Sequence, residues 1–360
     1  MAMQLKEFRE ALLDQLLNFL WRQWSALGVL GESGAEDKWI IDPEPLLIFS
    51  LEIARYEPRL FDEILAWLEE NGQWLDSARL RRILAKQEGP VLRTLGGALR
   101  HIQDRGHERK WKNLANFCHD RKPPMGGLLE PLFKLASGRY HPRAEGEMID
   151  PSFQAFDINR PQIRIQKKSK EVPVNAGANL RFLMRSLFGI GAKSEVLLYL
   201  LTHDGGRPKE IADSVGLFWL SVHQALIDVS RSGLVIKKPY GKRVEYWLSQ
   251  SKWWQFLAST DYQYATAPQW LDWIAIYSAF AALWRAVDEI ALGAESDYMK
   301  SSKLQDSLEV VAREFSRAGY YVGTLPSMGL PADLHQQMVF KFLNTILDLR
   351  VPAAAASPSA

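Results

Sequence analysis

A chain of 360 residues has room for two or three domains, since a single core seldom grows past a few hundred residues. With 47% hydrophobic and 24% charged residues it has the composition of a soluble globular protein. Its one cysteine, Cys118, excludes an internal disulfide and fits a reducing cytoplasm, and the net charge of +2 hides an uneven distribution.

In chain order, the N-terminal stretch carries charges at Lys6, Glu7, Arg9, Glu10 and Asp14, so it reads as no secretory leader. It reads instead as a helix, because Phe8, Leu12, Leu13, Leu16, Leu17, Leu20, Trp21 and Trp24 recur at three- and four-residue spacing. Residues 32–76 hold twelve acidic side chains against Lys38, Arg55 and Arg59. Within them Asp42-Pro43 predicts the cap and first position of a second helix. Pro58 opens a third, which stops at Gly72 as a C-terminal cap. Short helices are expected over 79–86 and 91–105, and 93–122 is read as a basic helical surface, with eight Arg or Lys against three acids.

Prolines and glycines then interrupt every stripe between 121 and 175, which predicts a linker. Within it, 160–170 carries five basic residues and no acid, and its alternation from Pro161 reads as a short strand or an extended arm. Helix resumes over 179–201. Beyond the next motif, two amphipathic helices are expected, one holding Leu304, Leu308, Val311, Ala312 and Phe315, the other Leu334, Met338, Phe342, Leu343, Ile346 and Leu349. The longest apolar run, 274–284, is too short to span a bilayer, which predicts no membrane association and, with the cysteine, a cytoplasmic protein.

The informative stretch is PKEIADSVGLFWLSVHQALIDVSRSGLV, 208–235. Ile211, Val215, Leu217 and Val222 are apolar where two crossing helices touch, Ala212 is small at their closest approach, and Gly216 stands where the turn needs a positive φ. Ser232-Gly233 ends the second helix. A strand follows over 234–237, a turn at Pro239-Tyr240-Gly241-Lys242, and a returning strand in which Val244, Tyr246 and Leu248 alternate. On these residues the segment 178–250 resembles the winged helix-turn-helix transcription regulators of the broad MarR- and ArsR-like class.

The resemblance implies a mainly α fold: a winged helix-turn-helix, three helices plus a β-hairpin wing, at 176–250. Outside the resemblance, the residue pattern reads as an N-terminal helical domain at 1–122 and a linker with the basic arm at 123–175, then a C-terminal helical region at 251–351, for packing, dimerisation or an effector, and a disordered tail at 352–360. The resemblance implies a regulator of transcription that binds double-stranded DNA as a homodimer on paired half-sites. A non-enzymatic protein without a cofactor is expected, because no Ser–His–acid order or nucleophile elbow appears. Trp219, Ser221, His223 and Gln224 would face bases, and Lys209, Lys237, Lys238, Lys242 and Arg243 would meet phosphates. The arm at 160–170 would add backbone contacts.

One feature departs from the family. Phe218-Trp219-Leu220 stands where polar or basic side chains are usual, and no Arg or Lys lies between Lys209 and Arg231. Leu220 turned into the motif's own core, aromatic contacts to thymine methyls, and a protein-docking face are three explanations the sequence leaves open. The last defines an alternative function, an assembly module that holds a protein partner through Phe218 and Trp219. Trp253, Trp254, Trp270, Trp273 and Trp284 leave room for a small-molecule effector of unknown identity, with aromatic core packing as their other use.

Weaker constellations lead nowhere. His101, His107, Cys118 and His119 match no zinc spacing. Gly189-Ile190-Gly191-Ala192-Lys193-Ser194 lacks the glycine before the lysine that a phosphate loop needs, and reads as a helix-starting turn. Asp42 and Glu44 resemble a metal-binding pair, but the helix cap accounts for Asp42.

Overall fold

The structure is a computed structural model that describes residues 5–29, 39–87, 89–104, 108–141, 148–162, 169–240, 243–260, 262, 267–294 and 296–317. It is mainly helical, and no described helix is long and apolar enough to cross a membrane. Its packing divides it into a larger unit, Leu20–Leu135 with Tyr140–Ile274, and a smaller one from the described parts of 1–19, 136–139 and 275–360. The expected N-terminal domain, linker and helix-turn-helix segment therefore fall largely within one compact unit.

The smaller unit draws on the first turns of α1 (Leu5–Ala26), most of α13 (Trp273–Leu292) and α14 (Asp297–Arg317). Phe19 meets the rings of Tyr277 and Phe280, and Phe280 meets Phe315 edge-on. Arg9 is buried, bonded through Nε to Asp288 at 2.8 Å and laid over the Trp284 ring. The predicted α14 stripe is inward, with Leu304, Leu308, Val311 and Phe315 buried. The expected helix from Leu334 and the tail at 352–360 lie outside the described residues.

In the larger unit α2 (Pro43–Ile53) is buried along its whole length, as its run of apolar residues requires. Against it pack α3 (Pro58–Asn71), α4 (Ser77–Leu84) and α5 (Val91–Ile102), and α6 (Glu108–Arg121) packs on α4 and α5. Asp42 and Gly72 stand at the expected cap positions of α2 and α3, each with a difference. Asp42 makes no capping bond, because its carboxylate is committed elsewhere. Gly72 ends α3 with φ −58°, not in the left-handed region, and its missing side chain admits Trp111, 3.3 Å from where a Cβ would stand.

The segment 123–175, expected as a linker, contributes to the core where it is described. β1 (Glu130–Pro131) pairs in parallel with β2 (Ile158–Asn159), and Leu132, Phe133, Phe153, Phe156 and Ile158 are buried. Phe153, in α7 (Pro151–Gln154), and Phe156 just after it pack onto Gly96 and Gly97 of α5. A Cβ on Gly97 would sit 2.6 Å from the Phe153 ring, and one on Gly96 would fall closer still to Phe156. Alanine is up to about 1 kcal/mol better than glycine inside a helix, but overpacking a filled core costs about 1–3 kcal/mol. Gly96→Ala should therefore lower the urea midpoint despite its better helix propensity. An unchanged or raised midpoint would show that Phe156 yields freely.

The basic surface expected at 93–122 holds on α6, where Arg109, Lys112 and Arg121 are exposed, but not on α5. α5 is buried except at Arg100, and Arg93 pairs with Glu130 at 2.6 Å, beside Arg55 at 2.7 Å. The arm expected at 160–170 begins with a fully buried Arg160, held by Asp62 at 2.9 Å and Asp150 at 3.2 Å, so that residue is unavailable to DNA. Residues 163–168 lie outside the described residues. Cys118 is a core thiol, its pKa pushed up to about 12 by burial.

The helix expected over 179–201 is two helices, α8 (Leu180–Phe188) and α9 (Ala192–Thr202), split at Gly189 and Gly191, both at positive φ. α10 (Pro208–Val215) and α11 (Trp219–Arg231) follow, joined through Gly216 at φ 70°. β3 (Val235–Tyr240) and β4 (Arg243–Leu248) form an antiparallel hairpin, and Gly206 adds reciprocal backbone bonds to Tyr246. Ile211, Ala212, Val215, Leu217 and Val222 all lie in this core, as their spacing predicts, and α12 (Gln250–Ala258) adds Trp253 to it. Trp273 is also buried, its Nε1 donating to the Ile40 carbonyl at 2.7 Å. These two tryptophans serve packing.

Three buried arginines and three buried carboxylates form a neutral cluster that ties α2 and α4 to α8, α9 and the end of α10. Arg79 grips both oxygens of Asp42, at 2.5 and 2.6 Å, bonds Glu44, and donates from Nε to the Val215 carbonyl at 2.6 Å. Arg185 spans Glu44 at 2.8 Å and Glu195 at 2.7 Å. Arg181 pairs with Glu195 and lies 3.2 Å from Asp42. Burial by itself would raise the carboxyl pKa of Glu44, but Arg185 and Arg79 outweigh it and hold the group well below the usual range. Glu195 is likewise lowered, with Arg181 and Arg185 outweighing its burial.

Candidate functional site

α11 exposes one side and buries the other. Val222, Ala225 and Leu226 face the core, while Trp219, Leu220, Ser221 and Gln224 are exposed and His223 is half-buried. Trp219 stacks on His223, one turn along, with centroids 5.0 Å apart and planes 19° off parallel. Gln224 donates from Nε2 to Asp228 at 3.0 Å, so half of its amide is already engaged. The outward face thus offers a hydroxyl, an imidazole, an amide and an indole, with Asp228 and Arg231 as the charged groups of the helix.

Leu220 does not turn into the core. Phe218, Trp219 and Leu220 are 60%, 50% and 68% exposed, and the inward position before α11 is taken by Leu217. The apolar triad is therefore surface, which removes the first of the three explanations for it. Phe218 also occupies the N-cap position of α11 and supplies no capping bond. The first turn of that helix is left with backbone N–H groups that no cap side chain satisfies, a local concentration of positive potential.

Three of the cations expected to meet phosphates lie on the surface. Lys209 is exposed in the first turn of α10, and Lys237 and Lys238 are exposed on β3. Successive strand residues point to opposite faces, and the register sets Lys237 opposite Tyr246 and Lys238 opposite Glu245. The two lysines therefore do not act on one face together. Lys238 also sits 5.7 Å from the Trp247 ring, which leaves Lys237 the less engaged of the pair. Lys242 and the side chain of Arg243 lie outside the described residues.

A cleft beside Phe218 is a feature that sequence reasoning missed. It encloses about 760 Å³ between α4, α6 and the start of α11, and its lining includes Arg81, Arg82, Lys86, Lys110, Phe117 and Phe218. Guanidinium groups lie on its rings: Arg82 4.5 Å above Phe218, Arg81 5.0 Å from Phe117, and Arg121 5.3 Å from Phe117. The described residues lining it contribute no carboxylate. Lys110 donates to the carbonyls of Gly72 and Gln73, and burial is the main cause that pushes its pKa down to about 8. The signal available beforehand was the α4 sequence SARLRRIL, whose Leu80, Ile83 and Leu84 turn inward and leave Arg81 and Arg82 outside.

Among the described residues no His, Cys, Asp and Glu group is arranged to hold a metal. His101 instead bonds Asp150 at 2.9 Å, and His107 lies outside the described residues. Set beside known proteins, the chain matches no family model, no curated protein and no solved structure.

Proposed function

We propose that residues 180–248 act as a winged helix-turn-helix that binds double-stranded DNA, making the chain a regulator of transcription. One observation carries this reading. The side of α11 that a reading helix would present is solvent-exposed, polar through Ser221, His223 and Gln224, and led by a helix N-terminus without a side-chain cap. Trp219 would contact thymine methyls or sugars, and Gln224 would release Asp228 to pair with adenine. Lys209, Lys237, Lys238, Lys242 and Arg243 would neutralise phosphates, Lys237 and Lys238 from opposite faces of the hairpin. A homodimer on paired half-sites, in the cytoplasm, completes the proposal.

The exposure of Phe218, Trp219 and Leu220 favours a second reading, a docking module that holds a protein partner on this apolar triad. Salt separates the two. Binding of the full chain to duplex DNA should weaken linearly on a logarithmic scale as salt rises. The Lys237→Glu, Lys238→Glu, Lys242→Glu variant should bind more weakly, with a slope smaller by about 1 for each phosphate deprived of its cation. Binding that ignores salt, or a variant that binds as the wild type does, would end the DNA reading and leave the docking module.

A further inference from the structure

We propose that the cleft beside Phe218 receives an unpaired nucleic-acid strand, so that the chain prefers a duplex carrying a single-stranded tail over a blunt one. This rests on the DNA reading above and adds a second element to it. Phe218 belongs to two surfaces at once: it begins α11, and it forms part of the cleft lining with α4 and α6. A strand that leaves a duplex held on α11 would therefore pass from Trp219 and Leu220 directly into the cleft.

The chemistry of the cleft suits a strand and not a double helix. Proteins that hold single strands combine a cationic groove with flat side chains on which bases stack. Here Arg81, Arg82 and Lys86 supply cations, and the Arg82–Phe218 and Arg81–Phe117 pairs supply flat guanidinium and ring surfaces within one cleft. Its volume of about 760 Å³ is that of a site for a small ligand, which admits a few unstacked nucleotides but no duplex. Phe218, in its lining, begins a run of three exposed apolar side chains of the kind that proteins set against base steps they unstack. On this account Phe218 guides the strand into the cleft while Trp219 keeps its contact with the duplex, which gives apolar residues a role where polar readers are usual.

The test uses the full chain and three fluorescent DNA probes of one sequence: a blunt duplex, and the same duplex with a 5′ or a 3′ tail of about 5 nucleotides. One tail polarity should bind at least about tenfold tighter than the blunt probe, as stacking of a single base provides. Arg81→Glu, Lys86→Glu alters two exposed residues, one on α4 and one just after it, and should remove that advantage while leaving blunt-duplex affinity within about twofold. A 2-aminopurine in the tail should lose fluorescence on binding to the wild type and not to the variant.

Equal affinity for blunt and tailed probes overturns the proposal, and is also the result expected if the cleft takes an acidic segment of a protein. Equal loss of both probes in the variant overturns it too, assigning the cleft to duplex phosphates. If blunt DNA binds with the lysine dependence described above and the tail adds nothing, the strand proposal fails alone. If no probe binds, both readings fail together.

Discussion

Replacing Arg79 by Ala should destabilise the larger unit by about 3–5 kcal/mol, the loss seen when one partner of a buried ion pair is removed. The reason is the carboxylates left behind. Asp42 and Glu44 are each about as buried as Arg79 itself, and Arg79 reaches the Asp42 carboxylate through two parallel guanidinium bonds. Without them Asp42 keeps only Arg181, 3.2 Å away, while Glu44 keeps Arg185. A buried charge with no partner cannot recover its lost hydration, which costs far more than the pair contributes over a well-packed apolar substitute. Urea unfolding of wild type, Arg79→Ala, Asp42→Ala and the double variant measures this. The double variant should lose less than the sum of the singles, because it removes the orphaned carboxylate together with its partner. A loss below about 1 kcal/mol for Arg79→Ala would show the cluster to be solvated.

The consequence extends to the candidate site, because α4 works in two directions. Its buried Arg79 holds the Val215 carbonyl just before the Gly216 turn, while Arg82, one turn later, lies over Phe218 just after it. Loss of Arg79 should loosen the start of α11 and the cleft together, and tailed-probe binding should weaken along with stability.

What the sequence made legible was local. Pro43 and Pro58 mark helix starts where the structure has them, and Gly216 takes the positive φ that its turn demands. The hairpin register follows from the alternation of Val244, Tyr246 and Leu248, though the first strand runs on to Tyr240, past Pro239, where the turn is expected to begin. What stayed hidden was long-range. A buried, ion-paired Arg79, Arg160 or Arg185 looks in sequence like any surface arginine, and its partners stand 10 to 141 residues away. The prolines of 123–175 read as punctuation because its core packing comes from single aromatic residues, which leave no periodic stripe. The direction of Leu220 was undecidable because neither turn nor helix spacing separates a core position from an exposed one at the first turn of α11.

Acid should unfold the larger unit through the same buried groups. Glu44, Glu195, Glu130 and Asp150 all have carboxyl pKa values lowered in the fold. In each, burial pulls upward and is outweighed, by Arg185 and Arg79 at Glu44, Arg181 and Arg185 at Glu195, Arg55 and Arg93 at Glu130, and His101 and Arg160 at Asp150. A carboxyl group with a lowered folded value stabilises the protein above its unfolded value. That contribution is lost as pH falls from the unfolded value, 4.5 for Glu and 3.8 for Asp, through the folded one. A tenfold change in proton affinity is worth about 1.4 kcal/mol at each group, so several acting together form a large fraction of a marginal stability. The urea midpoint should hold near neutrality and fall steeply from about pH 5 downward. The Arg79→Ala variant sharpens the test, because its penalty comes from unpaired carboxylates that protonation neutralises. Its deficit against the wild type should shrink as pH falls through the same window, while the deficit of Gly96→Ala, a steric one, should stay constant. Parallel pH curves for wild type and Arg79→Ala would mean that Glu44 is not a group whose charge Arg79 holds in the interior.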